Sequence, residues 1–130
     1  MGFLRHLVPK RVRAPFGRYS HAVEIPANAR LLFCSGQLGI SVADEIPDSV
    51  EAQATLCFEA VGAFLAEAGM SFADIVRINA YVTDRAHMAA YMAVRDRYVK
   101  EPPPASTLMI VSGFTRPEFK VEVEAIAAKA

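Results

Sequence analysis

An α+β domain whose sheet is covered by helices on one side only is the architecture expected from this 130-residue sequence. Three observations point to it. Apolar spacing switches along the chain between steps of two and steps of three or four, so strands and helices are interspersed. Only two segments carry helical spacing, too few to cover both faces of a sheet. Hydrophobic residues make up 53% of the chain, a surplus that a small domain with a large relative surface cannot bury alone.

Residues 1–13 precede any regular pattern. Arg5, Lys10, Arg11 and Arg13 gather there without an acid, no continuous apolar core of a signal peptide is present, and Pro9 interrupts any helix. The stretch reads as a flexible, solvated basic arm ahead of one domain over residues 14–130, with a targeting or RNA-contacting role as the alternative. Residues 18–25 follow Pro15 and Gly17 and read as a strand. Pro26-Ala27-Asn28 marks a turn, and Leu31-Leu32-Phe33-Cys34 a short apolar strand, so a hairpin is expected that ends at Ser35-Gly36-Gln37. Residues 38–47 read as loop.

Val50, Ala54, Cys57, Phe58, Val61, Phe64, Leu65 and Ala68 then form one wide helical stripe. Asp48 can cap its start with Glu51 three positions on, and Gly69 suits the left-handed residue past its end. From Ile75 to Thr83 the period is two. Val76, Ile78, Ala80 and Val82 point one way, and Arg77, Asn79, Tyr81 and Thr83 the other. Asp84 caps a second helix with Met88, Tyr91, Met92, Arg95 and Tyr98 on or near one face, stopped by Pro102-Pro103-Pro104. A strand from about Ser106 to Val111, a turn through Ser112-Gly113 and Pro117, and a strand from Phe119 to Ala127 complete the order β-β-α-β-α-β-β. The helix-free face needs other cover. A second copy of the chain would supply it and absorb the apolar surplus, turning polar residues of that face into interface or pocket residues.

Composition excludes several classes. Lys+Arg and Asp+Glu number 14 each, so the basic excess of a nucleic-acid binder is missing. No run of about 18 apolar residues offers a membrane span. Cys34 and Cys57 form no CxxC pair and read as buried thiols in a reducing, cytoplasmic setting. His6, His21 and His87 are scattered, so no metal site is expected. Phosphate-loop, GxSxG and dinucleotide motifs are absent. On the last strand Glu122 and Glu124 share a face with Lys120, opposite Phe119, Val121 and Val123. Two carboxylates in one row could do general acid–base work if they line a cleft; otherwise they are ordinary surface or interface residues, paired with Lys120 or Arg77. Tyr19-Ser20 after Gly17, and Ser35-Gly36-Gln37, sit where glycine lets a ligand approach main chain, though turn formation explains both equally well.

Four segments in register resemble the Rid (YjgF) family, also labelled endoribonuclease L-PSP. Gly17-Arg18-Tyr19-Ser20-His21-Ala22-Val23 is similar to its Gly-Pro-Tyr-Ser-Gln-Ala-Val, and Ser35-Gly36-Gln37 matches its Ser-Gly-Gln. Residues 75–84 resemble its central strand, and Val121-Glu122-Val123-Glu124-Ala125-Ile126-Ala127 resembles its closing Val-Glu-Ile-Glu-Ala-Ile-Ala. The resemblance implies a chorismate-mutase-like fold, a homotrimer with sheets facing its centre, and a small-molecule ligand in a cleft at each subunit boundary; charge balance and hydropathy, as above, argue against a nucleic-acid or membrane partner. It further implies hydrolysis of reactive enamines and imines, such as 2-aminoacrylate, to carbonyl compounds and ammonia without a cofactor. By motif position Glu122 would activate the attacking water, while Tyr19, Ser35, Gly36, Ala105 and Thr107 would line the cleft.

The departures bear on substrate. The family's Pro-Ala-Arg-Ser-Thr, whose arginine grips a carboxylate, is here Pro103-Pro104-Ala105-Ser106-Thr107, and that loss costs roughly 2–5 kcal/mol of binding. Arg18 replaces a proline, the loop after Gln37 is abbreviated, and the turn over residues 112–118 is longer. Three readings follow: an imine or enamine hydrolase on a ligand lacking that carboxylate or gripped by another cation such as Arg18 or Arg116, a non-catalytic trimeric binding protein using the same cleft, or RNA cleavage.

Overall fold

The computed structural model describes residues 3–130. Strands β1 (Arg5–Leu7) and β2 (Ala22–Glu24) pair antiparallel as a small ribbon. The main sheet contains β3 (Arg30–Leu38), β4 (Ile75–Val82), β5 (Ala105–Ile110) and β6 (Val121–Lys129) in the order β3-β6-β4-β5. β6 runs antiparallel to both neighbours, while β4 and β5 are parallel and joined by a helical crossover. Helices α1 (Val50–Glu67) and α2 (Met88–Tyr98) pack on one face. The core lies between, with Cys57, Phe58, Val61 and Leu65 of α1 and Tyr91 and Val94 of α2 against Ile78, Ala80, Val82, Val121, Val123 and Ala125. The α+β class and the one-sided helix layer are thus as expected.

The expected hairpin does not form. β2 pairs with β1, and β3 pairs with β6 instead. Among the described residues β6 takes one edge of β3 and leaves the other edge free, while the three extended residues of β2 are taken up by β1. The stretch expected as a flexible arm thus contains the strand Arg5–Leu7, held by β2 and by an ion pair from Arg5 to Glu24 at 3.1 Å. Ser20, outside either sheet, bridges to Ala105 and runs along the free edge of β5.

Helix ends follow local chemistry. Ser49, not Asp48, caps α1, its Oγ accepting from the Ala52 amide at 3.0 Å. Gly69 takes φ 69°, as a residue past a helix end must. A 3-10 turn at Phe72–Asp74 leads into β4, and Asp84 caps another at Arg85–His87 that runs into α2. Gln53, fully buried on α1, donates to the carbonyls of Pro47 (2.8 Å) and Glu118 (2.9 Å) and accepts from the Lys120 amide (2.8 Å). It ties both long loops to the helix that carries the core.

Candidate functional site

The helix-free face is built by strand register. Glu122 of β6 lies beside Tyr81 of β4, and Tyr81 beside Met109 of β5. Glu124, Asn79 and Thr107 form the next row, and Ile126, Arg77 and Ala105 the one after. A polar network crosses it. Arg77 donates from Nε to Asn79 Oδ1 (2.9 Å) and from Nη2 to Thr107 Oγ1 (2.7 Å), while Asn79 Nδ2 and the Tyr81 hydroxyl donate to the two oxygens of Glu124 (3.3 and 3.2 Å). Glu124 is therefore a structural acceptor.

Glu122 stands apart from that network. Among the described residues no group donates to its carboxylate, although it is only partly exposed. Burial first, and the neighbouring Glu124 charge second, hold its carboxyl above the usual range. It rests on Gly36: a methyl group there would stand 2.6 Å from Glu122 Oε2 and 2.8 Å from its carboxyl carbon. The ladder between β3 and β6 breaks at Ser35 and Gly36, leaving these two exposed residues out of register beside the acid. A carboxylate with no internal donor, its carboxyl raised above the usual range, can take a proton from water and return it to a leaving group.

Tyr19 lies elsewhere. Its hydroxyl accepts from the Phe16 amide at 3.1 Å, and its ring lines a cavity of about 410 Å³ enclosed by the Phe16–Tyr19 loop, β5 and α2. Ala105, buried at the start of β5, is covered by Ser20, whose amide donates to the Pro104 carbonyl (3.0 Å) and whose hydroxyl donates to that of Pro103 (2.6 Å). Within one chain the expected site residues thus fall into two groups. Ser35, Gly36 and Glu122 sit at the β3–β6 side; Tyr19, Ala105 and Thr107 sit at the β5 edge. Two strand spacings, about 10 Å, separate β6 from β5.

Of the substitute cations, Arg18 is occupied: it donates to Glu101 Oε2 (3.0 and 2.8 Å) and to the carbonyls of Asp96 (2.9 Å) and Val99 (3.1 Å). Arg116 sits over the Phe119 ring, in a hollow lined by Thr83 and Phe114 rather than by Tyr19. Arg95, placed by its spacing on the apolar stripe of the second helix, is 6% exposed and lines the Tyr19 cavity. A charge on an apolar stripe was the available signal for it. Among the described residues no group of three or more His, Cys, Asp or Glu could hold a metal ion, and no helix is long and apolar enough to cross a membrane.

Comparison with known proteins identifies the family and the fold. The family model described as Endoribonuclease L-PSP matches residues 10–129. Protein DfrA of Myxococcus xanthus is 36% identical over 85% of each chain. TdcF of Escherichia coli, provisionally named a reactive intermediate deaminase, is 31% identical over 90% of this chain and 92% of its own. A crystal structure of TdcF with bound serine superposes with TM-score 0.72 and 27% identity over 97% of this chain and 99% of that one. The Rid-family protein YyfB of Yersinia pestis superposes with TM-score 0.87 and 29% identity over 98% of this chain and all of that one.

Proposed function

Because the chain belongs to the endoribonuclease L-PSP (Rid) family, we propose that it hydrolyses reactive enamines or imines to carbonyl compounds and ammonia, with Glu122 positioning the water. The observation that carries this reading is Glu122 itself, a partly buried carboxylate seated against Gly36 with no internal donor, its carboxyl raised above the usual range by that burial. An enamine first takes a proton on carbon to become the iminium ion, the protonated form of the imine. Glu122 removes a proton from water as the water oxygen adds to the iminium carbon, forming a neutral carbinolamine. The same acid then delivers that proton to nitrogen, the C–N bond breaks, ammonia leaves, and Glu122 takes up the hydroxyl proton as the carbonyl forms and releases it to solvent. Imines are already electrophilic, so position and one proton carrier suffice.

The complete site is proposed to lie between copies of the chain in a homotrimer. The two residue groups are too far apart on one sheet to hold one small molecule, while a neighbour can set its β5 edge against Glu122. Exposed Leu31, Phe33 and Met109 beside the helix-free face are the surface such packing would cover. The serine held by TdcF supports a small amino-acid-like ligand. Ala105 lacks the guanidinium of the family's deaminases, so the substrate is proposed to differ from 2-aminoacrylate. The same substitution favours a second reading, a binding protein without turnover. RNA cleavage fits poorly, since zero net charge and the Glu122–Glu124 row offer nothing to a phosphate backbone.

The test is to generate amino-acid-derived imines in situ and follow oxo-acid formation. Wild type should accelerate it and Glu122→Gln should lower the rate at least about a hundredfold, as loss of a general base does. Equal rates for the two proteins would remove the proposed role of Glu122. Wild-type silence on every imine would favour the binding protein.

A further inference from the structure

We infer that Arg18 is a positioning residue of the proposed site: its guanidinium clasps the turn that carries Tyr19 to the C-terminal end of α2 and so fixes Tyr19 beside the β5 edge. The inference deepens the hydrolase reading and rests on it for the role of Tyr19 in holding substrate.

The turn itself is short. The Tyr19 amide donates to the Gly17 carbonyl at 3.0 Å, closing a three-residue turn centred on Arg18. One local hydrogen bond does not hold a loop in a single conformation against the entropy of ordering it. Tertiary bonds on both sides of Tyr19 do. After it, Ser20, 2% exposed, donates from its amide to the Pro104 carbonyl (3.0 Å) and from its hydroxyl to that of Pro103 (2.6 Å). Before it, Arg18 engages all three of its side-chain nitrogens. Nη1 donates to the Asp96 carbonyl (2.9 Å), Nη2 to the Val99 carbonyl (3.1 Å), and Nε and Nη2 to Glu101 Oε2 (3.0 and 2.8 Å).

The place where Arg18 lands makes the clasp firm. Asp96 lies in the last turn of α2, whose carbonyls have no partner within the helix, and a cation there meets the negative end of the helix dipole. The ion pair alone would be weak, because the Glu101 side chain is 66% exposed. The carbonyls are fixed acceptors that a planar guanidinium spans and an ammonium does not. The helix end is itself held: Arg95, 7% exposed, grips the Asp96 carboxylate from Nε and Nη2 (3.2 and 3.0 Å). One residue on each side of Tyr19 is thus tied to residues 96–104, which run directly into β5 with Ala105 and Thr107. Tyr19 and the β5 residues of the proposed cleft are held as one unit, while Glu122 stands apart on β6. A loosened Tyr19 therefore costs substrate binding and leaves the proton transfer by Glu122 intact, which raises KM and keeps kcat.

The test uses the full chain labelled with 3-fluorotyrosine and observed by fluorine NMR. Its four tyrosines give four signals, and Tyr19→Phe assigns that of Tyr19. In Arg18→Ala the Tyr19 signal should sharpen and move toward that of free tyrosine while the other three stay. KM for an amino-acid-derived imine should rise about tenfold, with kcat within about twofold of wild type. Arg18→Lys, which keeps the charge and loses the fork, should fall between. An unmoved Tyr19 signal, an unchanged KM or a loss confined to kcat in Arg18→Ala would overturn the inference. If Arg18→Ala does not fold, wild-type signal and KM in Arg18→Lys would overturn it equally. Failure of the hydrolase reads differently. If Glu122→Gln turns over as wild type, that reading falls and the Tyr19 signal judges the clasp. If turnover needs Glu122 while Arg18→Ala leaves KM unchanged, the clasp falls and the hydrolase stands.

Discussion

Glu122 pairs its proposed chemistry with a cost to the fold. Its carboxyl is raised above the ordinary range, mainly by burial, so the charged form is less comfortable folded than unfolded. That penalty is full above the folded pKa, shrinks as pH falls through it, and vanishes below the unfolded value of about 4.3. Glu122→Gln removes it. The variant should therefore be more stable than wild type to urea at pH 8 and indistinguishable from it near pH 3.5. An equal gain at both values would mean that packing, not charge, distinguishes the two side chains.

The elements around the site are anchored by groups that periodicity does not flag. Gln53 sits on the same helix as the apolar stripe, yet its amide satisfies three main-chain groups in the loops before α1 and before β6. Gly39 is pressed against it, with space for a Cβ only 2.3 Å from Gln53 Cβ. Gln53→Ala leaves the three groups unpaired in a closed space and should lower unfolding free energy by about 3 kcal/mol, read as a reduced urea midpoint at constant slope. A change below about 1 kcal/mol would mean water replaces the amide.

At the scale of the assembly, the sheet has helices on one side and Phe33, 70% exposed, on the other. If three copies close that face, Phe33→Glu buries unpaired charges against one another and should give a monomer where wild type gives a trimer, as measured by light scattering. Because the site groups of one chain stay apart, the monomer should also lose turnover. A monomeric wild type, or a trimeric variant with full activity, would exclude the shared cleft.

What could be read from residue order is what depends on neighbours along the chain. Alternation over residues 75–83 and 119–127 placed Arg77, Asn79, Tyr81, Glu122 and Glu124 on a common polar face, and the spacing from Val50 to Ala68 placed the first helix, because side-chain direction repeats with the local backbone. Strand partnership was not available in that way. β2 pairs with β1 and β3 with β6, partners 15 or more and 84 or more residues away, which no local pattern specifies. The break at Ser35 and Gly36, the capture of Arg18 by Glu101, and the placing of Arg95 in a cavity beside Tyr19 likewise depend on segments distant in sequence meeting.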